Sequence, residues 1–172
     1  YMIVDCDSSQ IEARVLAWLA EQDDLVTAFA TGEDVYKQMA SAIYDIPTEE
    51  VTKDQRFVGK STILGAGYGM GAVRFREQLR IFGVEVKLEE ARNIIEVYRD
   101  VNWKVCHLWQ NAQNALVDMF NGESCSFGRD KILKNVPSVK DMCIKNCGFT
   151  LPSGLILRYD DMKCVQTDRG PQ

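Results

Sequence analysis

Residues 52–71 read TKDQRFVGKSTILGAGYGMG and predict a helix that carries chemically useful side chains along one side. Side chains four residues apart share a helix face, and this spacing joins Arg56, Lys60, Leu64 and Tyr68. At the rise of an α-helix the stripe is about 18 Å long. Two cations could lie along a triphosphate, an apolar side chain beside a sugar, and an aromatic ring near a base.

The sequence also predicts where this helix begins and ends. Thr52 and Gln55 have the spacing of a capping box, which would start the helix just before Arg56. Gly69 and Gly71 would end it. On spacing alone, an ordinary basic amphipathic helix with a glycine-rich end explains the pattern equally well.

A second informative stretch, residues 1–19, reads YMIVDCDSSQIEARVLAWL. A short β-branched run ends in Asp5 and Asp7, and a helical pattern follows. That helix would bury the side formed by Ile11, Val15, Leu16 and Leu19. A carboxylate at the end of a strand commonly binds a hard cation such as Mg²⁺. Periodicity does not choose between the two aspartates, because they lie on the same strand face.

Three segments together resemble the family A DNA polymerases, the DNA polymerase I family. Residues 7–14 (DSSQIEAR) are similar to its first palm motif, and residues 56–69 are similar to its fingers helix, in the expected order. Between them, residues 32–36 (GEDVY) are similar to a further family segment. The resemblance implies a template-directed DNA polymerase that transfers nucleotides from dNTPs to a primer 3′-hydroxyl during DNA replication.

The resemblance also implies a two-metal Mg²⁺ mechanism. Asp7 would ligate both ions, with Ser8 beside it as a further metal ligand. One ion would activate the primer hydroxyl, and the other would bind the triphosphate and the leaving pyrophosphate.

The residues that the resemblance places at the incoming dNTP are Arg56, Lys60, Leu64, Tyr68, Glu12, Tyr36 and Gln10. Arg56 and Lys60 would bind the triphosphate, and Lys60 would also be a catalytic acid toward the leaving group. Glu12 would be the steric gate against a ribose 2′-hydroxyl, held near Tyr68. Tyr68 would stack near the templating position. From the bare sequence, a solvated or paired helix face is the more common role for Glu12.

Two positions depart from the family pattern. Leu64 stands where many members have an aromatic residue facing the sugar, and Tyr36 stands where many have a histidine that helps to bind the triphosphate. A phenol can donate one hydrogen bond but brings no charge. With the turn at residues 151–154 (LPSG), these changes resemble phage-type members.

The family's last palm motif, a His-Asp-Glu strand, has no match. The only histidine is His107, and no carboxylate follows it. Asp160 and Asp161 lack the motif's histidine and follow a turn that comes earlier in the family. We therefore expect a segment of a larger polymerase, inactive alone and completed by the remaining palm and thumb; a start at Tyr1 fits an internal segment.

Composition agrees with this interpretation. The 172 residues are 46% hydrophobic, enough for one sizeable core. No run is long enough for a membrane span, and no signal-peptide pattern is present, so we expect a cytoplasmic protein of a bacterial cell or phage-infected host. Residues 1–52 carry a net charge of −9, whereas residues 53–104 carry +3. The positive excess coincides with the helix assigned to the triphosphate.

The six cysteines predict reduced thiols rather than disulfides or a zinc site. Only Cys143 and Cys147 have a short spacing, and zinc requires four ligands.

The predicted fold is α+β and predominantly α-helical: a palm strand, a helical fingers subdomain and a small β-hairpin. The fingers would include a helix over residues 35–44 that Asp34 caps. The domain boundaries are residues 1–22 for part of the palm, 23–146 for the fingers, 147–165 for the hairpin and 166–172 for a loose C-terminal end.

Three other functions remain open. An RNA polymerase relative is one, although Glu12 as the steric gate favours DNA. A stand-alone nucleotide-binding or regulatory module without catalysis would keep Arg56 and Lys60 but would have no use for Asp7 and Glu12. A structural or interaction protein would not need cations aligned with a strand-end carboxylate, and would not depend on nucleotides.

Overall fold

The computed structural model divides the chain into two compact units. The first contains Tyr1–Trp18 and Gln22–Val105, and the second contains Leu19–Glu21 and Cys106–Gln172. The residues that the structure describes are 2–136, 148–159, 166–167 and 170–171.

Helices make up most of the described structure, and a small antiparallel sheet accompanies them. The α-helices are α1 (Ile11–Leu19), α2 (Asp23–Thr31), α3 (Val35–Tyr44), α4 (Lys53–Gly67), α5 (Ala72–Ile81), α6 (Leu88–Val101) and α7 (Trp103–Phe120). A short 3₁₀ helix, Thr48–Glu50, precedes α4. The predicted class, a predominantly helical α+β fold, is confirmed.

The helices α3 and α4 begin at the capping residues that the sequence indicates. The Asp34 side chain accepts a hydrogen bond from the Lys37 amide at 3.1 Å. At the start of α4, the Thr52 hydroxyl accepts from the Gln55 amide, and the Gln55 side chain accepts from the Thr52 amide. Each cap satisfies an amide that lacks a partner within its helix. After α4, Gly69 adopts a φ of 72°, which confirms the predicted stop.

A glycine lets α4 pack closely against α3. A Cβ on Gly59 would lie 2.2 Å from the carbonyl oxygen of Tyr36 and 3.0 Å from the backbone nitrogen of Ala40. Any larger residue would force the two helices apart. This contact therefore fixes the spacing at which α3 and α4 present their side chains.

The apolar core of the first unit extends from the contact between α3 and α4 to the contact between α5 and α6. Phe75 and Leu79 on α5 and Ile94 on α6 are almost completely buried. Their burial anchors the helices that follow α4 along the chain.

The N-terminal segment differs from the prediction. Residues 2–8 form no strand, and their side chains are exposed. A strand requires a hydrogen-bonded neighbour, and no described residue of this chain pairs with the segment.

The buried side of α1 also differs from the prediction. Ile11 and Val15 are 47% and 45% exposed, whereas Ala13 and Ala17 are buried. Small side chains permit a closer approach to neighbouring elements than large β-branched ones, and hydrophobicity alone does not reveal this.

The second unit contains a four-stranded antiparallel sheet in the order β1-β2-β3-β4. Its strands are β1 (Ser126–Phe127), β2 (Leu133–Val136), β3 (Gly148–Thr150) and β4 (Ile156–Arg158). The last two form the predicted hairpin, with Phe149 opposite Leu157. Its turn contains Gly154 at a φ of 82°, a conformation that glycine adopts without strain.

Asn135 on β2 connects the sheet to its surroundings within the second unit. Its side-chain amide donates to the carbonyl oxygens of Ala115 at 3.3 Å and Glu123 at 3.0 Å. Its side-chain oxygen accepts from the Cys125 amide at 2.7 Å. The residue is 7% exposed, so these bonds satisfy a side chain that would otherwise be costly to bury.

Near the C-terminus, Gln166–Thr167 (β5) and Gly170–Pro171 (β6) pair as two short antiparallel strands where a loose end was predicted. Other predictions for Asp160, Asp161, Cys143 and Cys147 lie outside the described residues. Among the described residues, the cysteines at positions 6, 106 and 125 form no disulfide bond. Within the same part of the chain, no helix is both long and apolar enough to cross a membrane.

Candidate functional site

The stripe predicted on α4 lies on the accessible side of that helix. Arg56 and Leu64 are half-buried, while Lys60 and Tyr68 are exposed. The buried residues of α4 occupy other positions: Val58, Gly59, Ser61, Thr62, Ile63, Gly65 and Ala66. All four stripe residues can therefore be reached by a ligand, with Tyr68 at the C-terminal cap.

The guanidinium of Arg56 is held by two residues at the start of α3. Its Nε donates to Asp34 Oδ2 at 2.6 Å, and its Cζ lies 5.3 Å from the centre of the Tyr36 ring. Burial alone would raise the pKa of Asp34, but hydrogen bonds from Arg56 and the Lys37 amide, together with the Arg56 charge, lower it below its usual value. The carboxylate therefore stays ionised beside the guanidinium.

Tyr36 contacts Arg56 through the face of its ring. The residue is only 6% exposed, and such a packed ring supports a cation chiefly through its π electrons. A direct hydrogen bond from Tyr36 to a triphosphate stays a prediction.

Glu12 on α1 and Tyr68 at the end of α4 lie together. Partial desolvation, a hydrogen bond to Glu12 and its negative charge raise the pKa of Tyr68. Gly67 lies beside α1 at this point, since a Cβ there would be 3.3 Å from Leu16 Cδ2. This contact agrees with the resemblance, which places Glu12 near Tyr68. The roles of the two residues toward a sugar and a template stay predictions.

Arg14 stabilises the turn that carries the remaining predicted residues, Ser8 and Gln10. Its Nε donates to the Ser9 carbonyl at 3.1 Å, and its Nη1 donates to the Phe29 carbonyl at 3.2 Å. Gln10 adopts a left-handed φ of 58° within this turn, immediately before the first residue of α1. Such a conformation is uncommon for a residue other than glycine.

Asp7 and Ser8 belong to the exposed segment before α1. Their oxygens are the hard ligands that Mg²⁺ prefers. Within residues 2–136 and the shorter described stretches, no group of three or more His, Cys, Asp or Glu side chains is placed to bind a metal ion. Asp5 is exposed as well, so the preference for Asp7 still rests on the family motif.

Sequence reasoning missed the ion pair between Asp34 and Arg56. The sequence marks Asp34 as a helix cap, which is a local signal, but the two residues are 22 positions apart. Gly59 was likewise not recognised as the contact point between α3 and α4.

Comparison with known proteins identifies the family of this chain. The family model described as DNA polymerase family A matches residues 1–146. The chain belongs to the family A DNA polymerases.

Curated relatives in this family include several bacterial enzymes. DNA polymerase I of Mycobacterium leprae is 38% identical over 87 residues, covering 51% of this chain and 10% of the relative. That of Pseudomonas aeruginosa is 39% identical over 98 residues, covering 57% of the chain and 10% of the relative. The thermostable DNA polymerase I of Thermus aquaticus is 37% identical over 98 residues, covering 57% and 11%.

A solved structure also matches: the POL domain of Pol1 from M. smegmatis in complex with DNA primer-template and dNTP. The TM-score is 0.55 at 34% identity, covering 66% of this chain and 19% of that chain. This family A chain thus spans about a tenth of the length of the curated relatives it matches. These relatives are bacterial, so they do not support the phage-type assignment.

Proposed function

We propose that this chain forms the incoming-nucleotide side of a template-directed DNA polymerase. The longer protein would transfer nucleotides from dNTPs to a primer 3′-hydroxyl during DNA replication. Family membership supports this proposal, as does the solved relative that contains primer-template DNA and dNTP. The chain spans a small part of its relatives, so we expect no primer extension by this chain without the remaining palm and thumb.

The observation that carries the proposal is the accessible stripe on α4. Arg56 is oriented at its N-terminal end, and Lys60 is exposed one turn further along. Two cations at this spacing suit a polyphosphate, for which arginine offers a planar fork and lysine a point charge. In this proposal Lys60 also donates a proton to the leaving pyrophosphate.

The far end of the stripe would face the nucleoside. Leu64 would contact the sugar through apolar surface, and Tyr68 would stack near the templating base. Glu12, whose negative charge lies near Tyr68, would leave no space for a ribose 2′-hydroxyl. Gln10, at the turn before α1, would line the same site.

The metal chemistry would involve the segment before α1. Asp7, with Ser8, would hold Mg²⁺ through oxygen atoms, and further ligands would come from water, phosphates and a second carboxylate elsewhere in the polymerase. Bound Mg²⁺ would neutralise charge that develops on the transferring phosphoryl group. Residues 1–22 would be part of the palm, residues 23–146 the fingers and residues 147–165 a hairpin.

The phage-type assignment depends on Leu64, Tyr36 and the turn at residues 151–154. Leu64 and Tyr36 depart from the residues common in the family, and Leu64 predicts altered discrimination at the sugar 3′-position. The competing function is a nucleotide-binding or regulatory module without catalysis, in which Asp7 has no role.

The test is a calorimetric titration of this chain with dGTP and Mg²⁺. The proposal expects saturable binding that Lys60→Ala and Arg56→Ala each weaken about tenfold, because each removes a charge-assisted contact to phosphate. Arg92→Ala, which removes an exposed cation from α6, is the matched control and should bind like the wild type.

Binding that is indifferent to both Arg56→Ala and Lys60→Ala would contradict the triphosphate site. Asp7→Ala separates the two functions once the chain is part of a complete polymerase. Loss of primer extension by the complete polymerase that carries Asp7→Ala supports the polymerase function. Unchanged extension contradicts a metal-binding role for Asp7.

A further inference from the structure

Asp34 makes two contacts with its two carboxylate oxygens. Oδ1 accepts from the Lys37 amide at 3.1 Å and so caps α3. Oδ2 accepts from Arg56 Nε at 2.6 Å and so reaches α4. One carboxylate therefore ties the first turn of α3 to the arginine at the start of the stripe.

The contact to Asp34 uses only one edge of the guanidinium. Arginine has five N–H donors, four of them on the terminal nitrogens. Arg56 makes no other side-chain hydrogen bond within the described part of the chain, and its side chain is 40% exposed. The ring of Tyr36 supports the same group at 5.3 Å. The guanidinium is thus fixed at Nε and against the ring, while its terminal nitrogens can take a ligand.

We propose that Asp34 is a positioning residue for triphosphate binding, which it promotes by orienting the terminal nitrogens of Arg56 toward the anion. The inference rests on the proposed function, since it assumes that Arg56 binds a triphosphate. A guanidinium that is already oriented loses less conformational freedom when the ligand arrives, and this raises affinity.

An opposing effect is the negative charge of Asp34, which repels an anionic ligand. Solvent screens this repulsion, because the two side chains are 34% and 40% exposed. The orientation of the Arg56 guanidinium depends on its direct contact with Asp34, and solvent does not screen that contact in this way. Loss of the Asp34 charge therefore weakens triphosphate binding.

The two effects can be separated in a double-mutant cycle. Asp34→Asn keeps a good N-cap for α3, because asparagine caps helices as well as aspartate does, but it removes the ion pair. We expect Asp34→Asn to weaken dGTP·Mg²⁺ binding about fivefold in the wild-type background, in the range of coupling between contacting residues. In the Arg56→Ala background it should not weaken binding, since no guanidinium remains to be oriented.

The matched control is Asp54→Asn, which removes an exposed carboxylate from the first turn of α4 without touching the ion pair. It should leave the affinity unchanged. An NMR measurement provides a second readout, because the Arg56 Nε–H resonance should exchange with solvent faster in Asp34→Asn than in the wild type.

Unchanged or tighter dGTP binding by Asp34→Asn overturns the positioning role, as does equal weakening in both backgrounds. If Arg56→Ala weakens binding but Asp34→Asn does not, the positioning role alone is wrong. If the wild-type chain binds no dGTP, or if Arg56→Ala and Lys60→Ala bind it normally, the proposed function fails and the positioning role fails with it.

Discussion

Gly59 on α4 faces the carbonyl oxygen of Tyr36 on α3 with no room for a side chain between them. A Cβ at position 59 would lie 2.2 Å from that oxygen and 3.0 Å from the Ala40 nitrogen. Both atoms belong to the backbone of α3, so a rotamer change cannot relieve the overlap. The two helices can come this close only while position 59 is glycine.

Gly59→Ala should therefore destabilise the chain although alanine favours helices. The forced separation of α3 and α4 should lower the free energy of unfolding by about 3 kcal/mol. Urea denaturation monitored by circular dichroism would measure the change.

Gly67→Ala is the matched control, because the nearest atom to its Cβ is the end of the Leu16 side chain at 3.3 Å. It should change stability by less than about 1 kcal/mol. Equal effects of the two substitutions would show that the close approach at Gly59 does not limit helix packing.

Thr52→Ala should weaken the start of α4. The substitution removes the hydroxyl that accepts from the Gln55 amide at 3.3 Å, and caps of this kind contribute about 1 kcal/mol. Thermal unfolding would detect the loss, while Thr52→Ser, which keeps the hydroxyl, should unfold like the wild type. A Thr52→Ser variant as unstable as Thr52→Ala would point to the lost methyl group instead of the cap.

Asn135→Ala should destabilise the second unit by about 3 kcal/mol, because it removes three side-chain hydrogen bonds that each contribute about 1 kcal/mol. The affected groups are the Cys125 amide and the carbonyl oxygens of Ala115 and Glu123. Hydrogen exchange of the β2 and β3 amides would report the loss locally.

Asn114→Ala is the control for Asn135→Ala, since Asn114 is exposed and its side chain bonds only to Gln110 among the described residues. It should stay within about 0.5 kcal/mol of the wild type. Unchanged exchange in Asn135→Ala would mean that the three hydrogen bonds add nothing to the stability of the sheet.

The contact between Tyr68 and Glu12 predicts a pH dependence. Because the native pKa of Tyr68 is raised, its contribution to stability is fully present below the unfolded tyrosine pKa. It is lost as pH rises through the native pKa. Glu12→Gln should lower the pKa of Tyr68 toward its usual value, because it removes the nearby negative charge.

Ultraviolet titration of the phenolate would measure this shift, with the Tyr68→Phe chain subtracted to isolate one tyrosine from the others. Glu77→Gln, at an exposed position on α5, should leave the difference curve unchanged. A curve that is identical in the wild type and Glu12→Gln would exclude the contact in solution.

Local signals made much of the fold predictable from the sequence. The starts of α3 and α4 were predicted because Asp34 and Thr52 bond to amides three residues away. The turn at Gly154 was predicted from another local signal, the sequence LPSG at residues 151–154. The exposed stripe on α4 followed from spacing within a single helix.

Features that depend on distant residues were not predicted. The strand expected at residues 2–8 needs a partner that no described residue supplies. The prediction of the buried side of α1 was wrong, because the helix buries the small side chains of Ala13 and Ala17 and not the larger ones. The pairing of Asp34 with Arg56 depends on how α3 meets α4, and that arrangement is set at Gly59, whose role only the packed structure reveals.

We expect the exposed segment before α1 to affect how the chain behaves in concentrated solution. Met2, Ile3 and Val4 are 89%, 93% and 83% exposed, and their backbone has no strand partner among the described residues. Consecutive apolar residues with unpaired backbone groups can pair edge to edge with another copy. Self-association should therefore rise with protein concentration, and a lysine in place of Ile3 should delay precipitation without disturbing either compact unit.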